Sequence, residues 1–333
     1  MTTIWSVLIS AMRAMTALSC VALVAGCQAD PGHQGRASRE WIEQLREGDA
    51  TEREDAAVAL GKVLAVNPKL DRPVTALVAA LADTIDAVRV AASVALAQPG
   101  VVAMDALSGL AQMLTDSAHA SVRVKGVRAI GRLLSVSAPA ERSMLLAAVV
   151  PSHRDGDAAV RAALADALGK IASSVTTDTI VQQTLETLVG DSVATTRLRA
   201  VEALGVLPAL ARRAALQRAL QDSSAAIRHV AVLQLRRDTL VLAELQAQLF
   251  ELLADSSATV RLAAVRALGS LSMARSPNVT AALRARLTDV DSAIRTEAFH
   301  AITRFHAQGG RDASREPTLL ERCEQLPPRT RGC

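Results

Sequence analysis

The chain has 333 residues, 50% of them hydrophobic but only 2% aromatic, with no Tyr, two Trp and three Phe. Strands favour aromatic and β-branched residues while Ala, Leu, Arg and Gln favour helix, so this Ala-rich mixture speaks against a β-sandwich or barrel. Charged residues at 21%, with a formal net charge of +4, exclude both a disordered chain and a polytopic membrane protein.

In chain order, the first predicted element is an export signal. Residues 1–26 carry one charge, Arg13, followed by the apolar run AMTALSCVALVAG and then Cys27. A short basic start, about 7–15 apolar residues and small residues before a cut site describe a secretory signal. A second apolar run, residues 4–12, precedes Arg13, so Met12 is an alternative start with 1–11 as an extension. Val24-Ala25-Gly26-Cys27 resembles the bacterial lipobox, which implies removal of 1–26 and a diacylglycerol on Cys27. The competing reading is an uncleaved anchor, since residues 4–26 are long enough to cross about 30 Å of hydrocarbon as a helix. Arg13 at the middle of such a span would cost a few kcal/mol, which favours lipidation. Gln28, where Asp would favour the inner membrane by resemblance to enterobacterial sorting, implies outer-membrane anchoring with a periplasmic body.

Residues 28–37, with Pro31, Gly32 and Gly35, have linker chemistry. From 38 to 305 one phrase recurs: Asp, a polar turn, Val/Ile-Arg, then small and apolar residues ending Ala-Leu-Gly. DGDAAVRAALADALG at 155–169, DSVATTRLRAVEALG at 191–205 and DSSATVRLAAVRALG at 255–269 are clear copies. In register the arginines are Arg53, Arg89, Arg123, Arg161, Arg197, Arg228, Arg261 and Arg295, spaced by 36, 34, 38, 36, 31, 33 and 34 residues. Counting from the arginine, apolar residues fall at −1, +3, +4, +7 and usually +10, as in Val260, Ala264, Val265, Leu268 and Leu271. That is the 3.6-residue period of a helix with a broad buried face. Another helical stretch precedes each turn, at 74–81, 103–114, 180–188, 240–253 and 279–287 among others. Each unit is therefore a helix, a tight turn and a second helix. Ala dominates at +3 and +6, where helices must approach closely, and Gly at +8 in five units (Gly61, Gly131, Gly169, Gly205, Gly269) relieves crowding near the helix end. The tail, 306–333, holds Cys323 and Cys333; in an oxidising compartment two such cysteines read as one disulfide, the alternative being a pair of free thiols.

This pattern resembles the HEAT-repeat proteins of the bacterial HEAT-like group, over about four fifths of the chain. The resemblance implies an all-α fold, an α-solenoid superhelix of about eight HEAT-like helix pairs. Its most specific feature is Asp six residues before Arg, at Asp83, Asp155, Asp191, Asp222, Asp255 and Asp289. In the family these residues form a ladder between successive units; chemically the Asp also suits capping of the second helix. The first unit has Glu47 at this place and the third has Asp116 one residue early.

The chemistry of known HEAT-like enzymes has no counterpart here. No His is followed by Glu, as the iron-dependent hydroxylase of this architecture requires, and beyond residue 37 only Trp41, Phe250, Phe299 and Phe305 could stack on bases as a glycosylase would need. Bilin lyases share the repeat more closely but act in the cytosol, against the export signal. None of the six histidines forms HExxH or a close cluster; His119 and His153 lie in successive turns at different offsets, and suit solvated loops better than a metal pair. We expect no enzymatic activity, metal, cofactor, nucleic acid or small-molecule substrate.

A polar stripe at +2, +5 and +9 of the second helices, which line the concave side in HEAT proteins, carries more basic than acidic residues. Arg128, Arg132, Lys170, Arg237, Arg266 and Arg304 are the contact candidates for a protein partner, specifically an acidic segment. The competing reading is an ordinary solvated face shielding an alanine-rich core. The sequence thus points to a lipid-anchored interaction scaffold in the bacterial cell envelope, against an accessory or lyase-like subunit of an envelope enzyme, or a structural spacer.

Overall fold

The computed structural model describes residues 32–98, 103–116, 118–171, 179–236, 239–270 and 277–308. Cys27 and the apolar run before it, Arg237, Leu271, Cys323 and Cys333 lie outside these residues. Among the described residues no helix is long and apolar enough to cross a membrane. The chain divides into two compact units, Met1–Val102 and Ala103–Cys333.

The described part of the first unit opens on a tight turn. His33 and Arg36 exchange backbone hydrogen bonds of 2.9 and 3.0 Å around Gln34 and Gly35, whose φ angles of 52° and 77° make this a left-handed turn. The turn packs onto helix α1 (Ser38–Glu47): Arg36 lies 4.1 Å above the Trp41 ring, and the Trp41 indole N–H donates to the His33 carbonyl at 3.2 Å. Helix α2 (Ala50–Val66) starts on Asp49, which accepts from the Glu52 amide while Glu52 accepts from the Asp49 amide. Helices α3 (Asp71–Ala80) and α4 (Asp86–Leu96) complete the unit. Helix α1 packs on α2 and α3, and α4 packs on α2 and α3, giving two helix pairs in two layers.

The second unit continues in the same way. Its pairs are α5 (Ala103–Leu114) with α6 (Ala120–Val136), α7 (Pro139–Val149) with α8 (Ala158–Leu168), and α9 (Thr179–Val189) with α10 (Ala194–Ala203). Next come α11 (Ala209–Ala219) with α12 (Ala225–Leu235), α13 (Thr239–Glu244) and α14 (Gln246–Leu252) with α15 (Ala258–Ser270), and α16 (Pro277–Ala285) with α17 (Ser292–Gln308). Second helices contact second helices in unbroken order, α6 on α8, α8 on α10, α10 on α12, α12 on α15 and α15 on α17. The fold is thus an α-solenoid of helix pairs, with no strand among the described residues, only the isolated bridge between His33 and Arg36. The stretch 240–253, expected as one helix, is divided at Leu245, whose ψ of 19° leaves the helical range. Hydrogen bonds from the Leu245 amide to Val241 and from the Leu249 amide to Leu245 run on through the break, so the buried leucine face keeps its phase.

The core follows the sequence periodicity. Val260, Ala264, Val265 and Leu268 are completely buried. Alanine at +6 and glycine at +8 meet across neighbouring pairs: a β-carbon on Gly131 would stand 2.6 Å from that of Ala167, on Gly269 2.8 Å from that of Ala301, and on Gly61 2.9 Å from that of Ala95. Glycine at +8 is therefore a requirement of helix approach. Arg142 of α7, though buried, donates to the carbonyls of Leu134 and Ser137, closing the C-terminal end of α6.

The pairs are also riveted by charge. Arg53 grips Asp83 in the first unit through Nε and Nη2 at 2.9 and 3.1 Å. In the second unit Arg123 holds Asp155, Arg161 Asp191, Arg197 Asp222, Arg228 Asp255 and Arg261 Asp289, each by two hydrogen bonds of 2.6 to 3.0 Å. Such two-pronged contacts suit the planar guanidinium. In the second unit the same arginine's Nη1 donates to the carbonyl of the Asp in its own turn, as Arg161 does to Asp155 at 2.8 Å, while Arg53 Nη1 donates to the Gly48 carbonyl at 2.9 Å. Each Asp Oδ1 also accepts from the amide two residues on, for instance Val193 N–H to Asp191 at 2.8 Å. The Asp therefore fastens the turn and does not itself cap the second helix, whose N-cap lies two residues later, at Val193 or Ser224 for example.

The electrostatics of the rungs follow from this geometry. For Asp155, Asp191 and Asp255, hydrogen bonds from Arg123, Arg161 and Arg228 outweigh burial and hold the carboxyls below the ordinary value. For Asp83, Asp222 and Asp289 burial is the larger influence and acts upward, but the combined arginine and amide hydrogen bonds still bring them below it.

Candidate functional site: a basic stripe on the second helices

The stripe at +5 and +9 is exposed or half-exposed in every described pair, because the opposite faces of the second helices are taken up by core and by neighbouring pairs. Arg128 and Arg132 stand four residues apart on α6, so their side chains share one face. Lys170 follows the end of α8, the helix that packs directly on α6. All three are exposed, and their side chains have no hydrogen-bond or ion-pair partner among the described residues.

The other candidates are differently placed. Arg266 of α15 and Arg304 of α17 both bind the carboxylate of Glu297, at 3.1 and 3.3 Å. Glu297 is the better buried member, with 19% of its side chain exposed against 48% and 51% for the arginines. Burial pushes its carboxyl upward, and the hydrogen bonds from Arg266 and Arg304 overcome this and leave it below its ordinary value. Between these two groups the stripe is balanced: Arg199 pairs with Glu202 at 2.9 Å and with Asp166 at 3.8 Å. Arg237 lies outside the described residues. Among the described residues, the uncompensated positive charge of the stripe in the second unit is thus concentrated on α6 and just after α8.

The pairing of Glu297 with two candidates was hidden in the sequence, where the three residues are 31 and 7 apart. Superposing the registers of α15 and α17 is the signal that brings them together.

Among the described residues the histidines offer no ligand set. His153 has Nδ1 at 2.8 Å from the Val150 carbonyl and accepts from Arg154 at Nε2, and His119 stands 3.8 Å from Asp116. Among the described residues no group of three His, Cys, Asp or Glu could hold a metal ion. An open groove of about 440 Å³ between α14 and α16 is lined by Phe250, Leu253, Ala281 and Arg286 and carries no acid–base pair.

A sequence profile of HEAT repeats matches residues 212–303 and 246–325. No curated protein matches the chain in sequence. Among solved structures, the Escherichia coli protein YibA superposes with a TM-score of 0.53 at 19% identity, over 80% of this chain and 92% of its own. The yeast importin-β Kap95p gives 0.58 at 14% identity, over 87% of this chain and 42% of its own. Kap121p gives 0.55 at 17%, over 80% of this chain and 33% of its own, so the chain spans less than half of either importin. The profile match thus lies within residues 212–325, and the chain has the fold of the helical-repeat solenoids.

Proposed function

We propose that the protein is a lipid-anchored interaction scaffold of the bacterial cell envelope, held through Cys27 at the outer membrane with its repeats in the periplasm, and that it engages an acidic segment of a protein partner. The observation that carries the partner reading is the group Arg128, Arg132 and Lys170, three exposed cations on adjacent helices without acidic partners among the described residues. Solenoids of this fold serve as protein-binding surfaces elsewhere: Kap95p binds RanGDP and Kap121p binds Pho4p. Clustered like charges on a rigid face raise the encounter rate with an oppositely charged segment and make capture salt-dependent. Arg266 and Arg304 form the more selective end of the same stripe, since a ligand carboxylate there must compete with Glu297. Arg237, by its register, falls between the two groups.

The test is capture from envelope extract, at low and high salt, by the wild-type chain and by Arg128→Glu/Arg132→Glu/Lys170→Glu. The wild type should retain a partner that elutes as salt rises, and the triple variant should lose it with an unchanged circular dichroism spectrum. Equal capture by both would reject the face. The address is tested separately by fatty-acid labelling in cells: Cys27→Ser should abolish incorporation, and labelling that persists contradicts the lipobox reading.

A further inference from the structure

The second helices of the second unit meet in a common register, and the charges on them follow it. Gly131 of α6 faces Ala167 of α8 as Gly269 of α15 faces Ala301 of α17, in both cases position +8 against position +6 of the next pair. Nearer the helix starts, position +5 of one pair meets position +2 of the next: Arg266 holds Glu297 at 3.1 Å, and Asp166 of α8 stands 3.8 Å from Arg199 of α10. Position +9 closes the group in the last pair, where Arg304 donates to the other oxygen of Glu297 at 3.3 Å. The Glu297 carboxylate is thus bracketed by two cations, Arg266 on Oε2 and Arg304 on Oε1.

The pairing of α6 with α8 supplies both cations of this bracket without the carboxylate. Arg128 is at +5 of α6 and Lys170 at +9 of the next pair, and both are exposed. Lys170 falls just past α8, but Gly169 keeps right-handed angles of φ −66° and ψ −13°, and the Lys170 amide donates to the Ala167 carbonyl at 3.2 Å, so the winding of the helix continues to it. Position +2 is Ala163, which is buried and ends at its β-carbon. Asp166, one turn before Lys170, is the acid that stands by Arg199. The side chains of Arg128 and Lys170 have no hydrogen-bond or ion-pair partner among the described residues. We infer that Arg128 and Lys170 together receive one Glu or Asp side chain of the partner, in the place that Glu297 takes between Arg266 and Arg304. The bracket presupposes that the stripe binds an acidic segment, as proposed, and fixes where one of its carboxylates sits. Arg132, at +9 of α6, stands outside the bracket and contributes attraction alone.

Binding of a dye-labelled hexaglutamate peptide to the full chain at low salt, followed by fluorescence anisotropy, tests this. Arg128→Gln and Lys170→Gln should each weaken binding about tenfold, and the double variant no more than about threefold further, because both cations act on one carboxylate. Arg132→Gln removes the same charge from the same face and should cost less than about threefold. Ala163→Glu should place an internal carboxylate in the bracket and weaken binding as much as the double variant does. Should that substitution disturb the packing of α6 on α8, Glu297→Gln gives the converse: it opens the second bracket, and one further peptide should bind per chain and be lost again with Arg266→Gln. Equal losses in Arg128→Gln, Lys170→Gln and Arg132→Gln, effects that simply multiply, or no added site in Glu297→Gln would overturn the bracket while leaving an acidic segment held by diffuse charge. No binding of the peptide by the wild type at low salt would overturn the acidic-segment reading as well.

Discussion

Arg161 donates through Nη1 to the carbonyls of Asp155 and Gly156 in its own turn, and through Nε and Nη2 to Asp191 in the next pair. Removing an acid from such a rung strands a guanidinium whose side chain is only 11 to 20% exposed and frees a turn amide. Asp155→Ala should therefore cost about 2–4 kcal/mol of unfolding free energy, read from urea denaturation. Arg199→Ala, at a pair half open to water, should cost under about 1 kcal/mol. The rungs also set the response to acid. Their carboxyl pKa values are lower in the folded state than the unfolded value of about 3.9, so their contribution is complete above that value. It is lost as pH falls through the lower, folded values, and the wild type should weaken below about pH 4 more steeply than Asp155→Ala. Parallel curves for the two would show that the rung is not the titrating element. The Asp–Arg spacing was legible in the sequence because the repeat prints it six times. The role of the Asp as a turn fastener was not, since two-residue steps within a turn leave no periodic trace.

At the scale of the element, close helix approach explains both the scarcity of aromatics and the pattern of glycines. Gly131 faces Ala167 where α6 crosses α8, and an added methyl at 2.6 Å has backbone-borne carbon in its way, not a flexible side chain. Gly131→Ala should thus destabilise by about 1–3 kcal/mol despite the better helix propensity of Ala, and Ala167→Gly in the same chain should recover part of it. A shift of the urea midpoint in the stabilising direction would contradict the packing argument. The pair α10/α12 departs from this pattern: Gln234 replaces the +6 alanine, α10 gives way to a short 3-10 turn at Leu204–Val206, and the Gln234 amide donates to the Glu202 carbonyl at 3.1 Å. Helix existence and type were readable throughout from the 3.6-residue period. The break at Leu245 was not, because the apolar phase on either side of it is continuous.

At the largest scale, stability in the second unit is distributed from neighbour to neighbour, since each of the second helices α8, α10, α12 and α15 touches the one before and the one after. The repeat revealed this architecture, and the exposed stripe with it. It did not reveal how charge divides along the stripe, where Glu297 engages Arg266 and Arg304 while Arg128, Arg132 and Lys170 remain open. Glu297 decides that division, 31 residues from Arg266 and 7 from Arg304. A stack of this kind opens locally when one contact fails, whereas a globule with a single nucleus loses protection everywhere together. Native-state hydrogen exchange on Asp191→Asn, which breaks the rung between the α7–α8 and α9–α10 pairs, separates the two cases. The account predicts faster exchange confined to α7 through α10, with α16 and α17 unchanged; a uniform loss of protection over all helices of the second unit would contradict it.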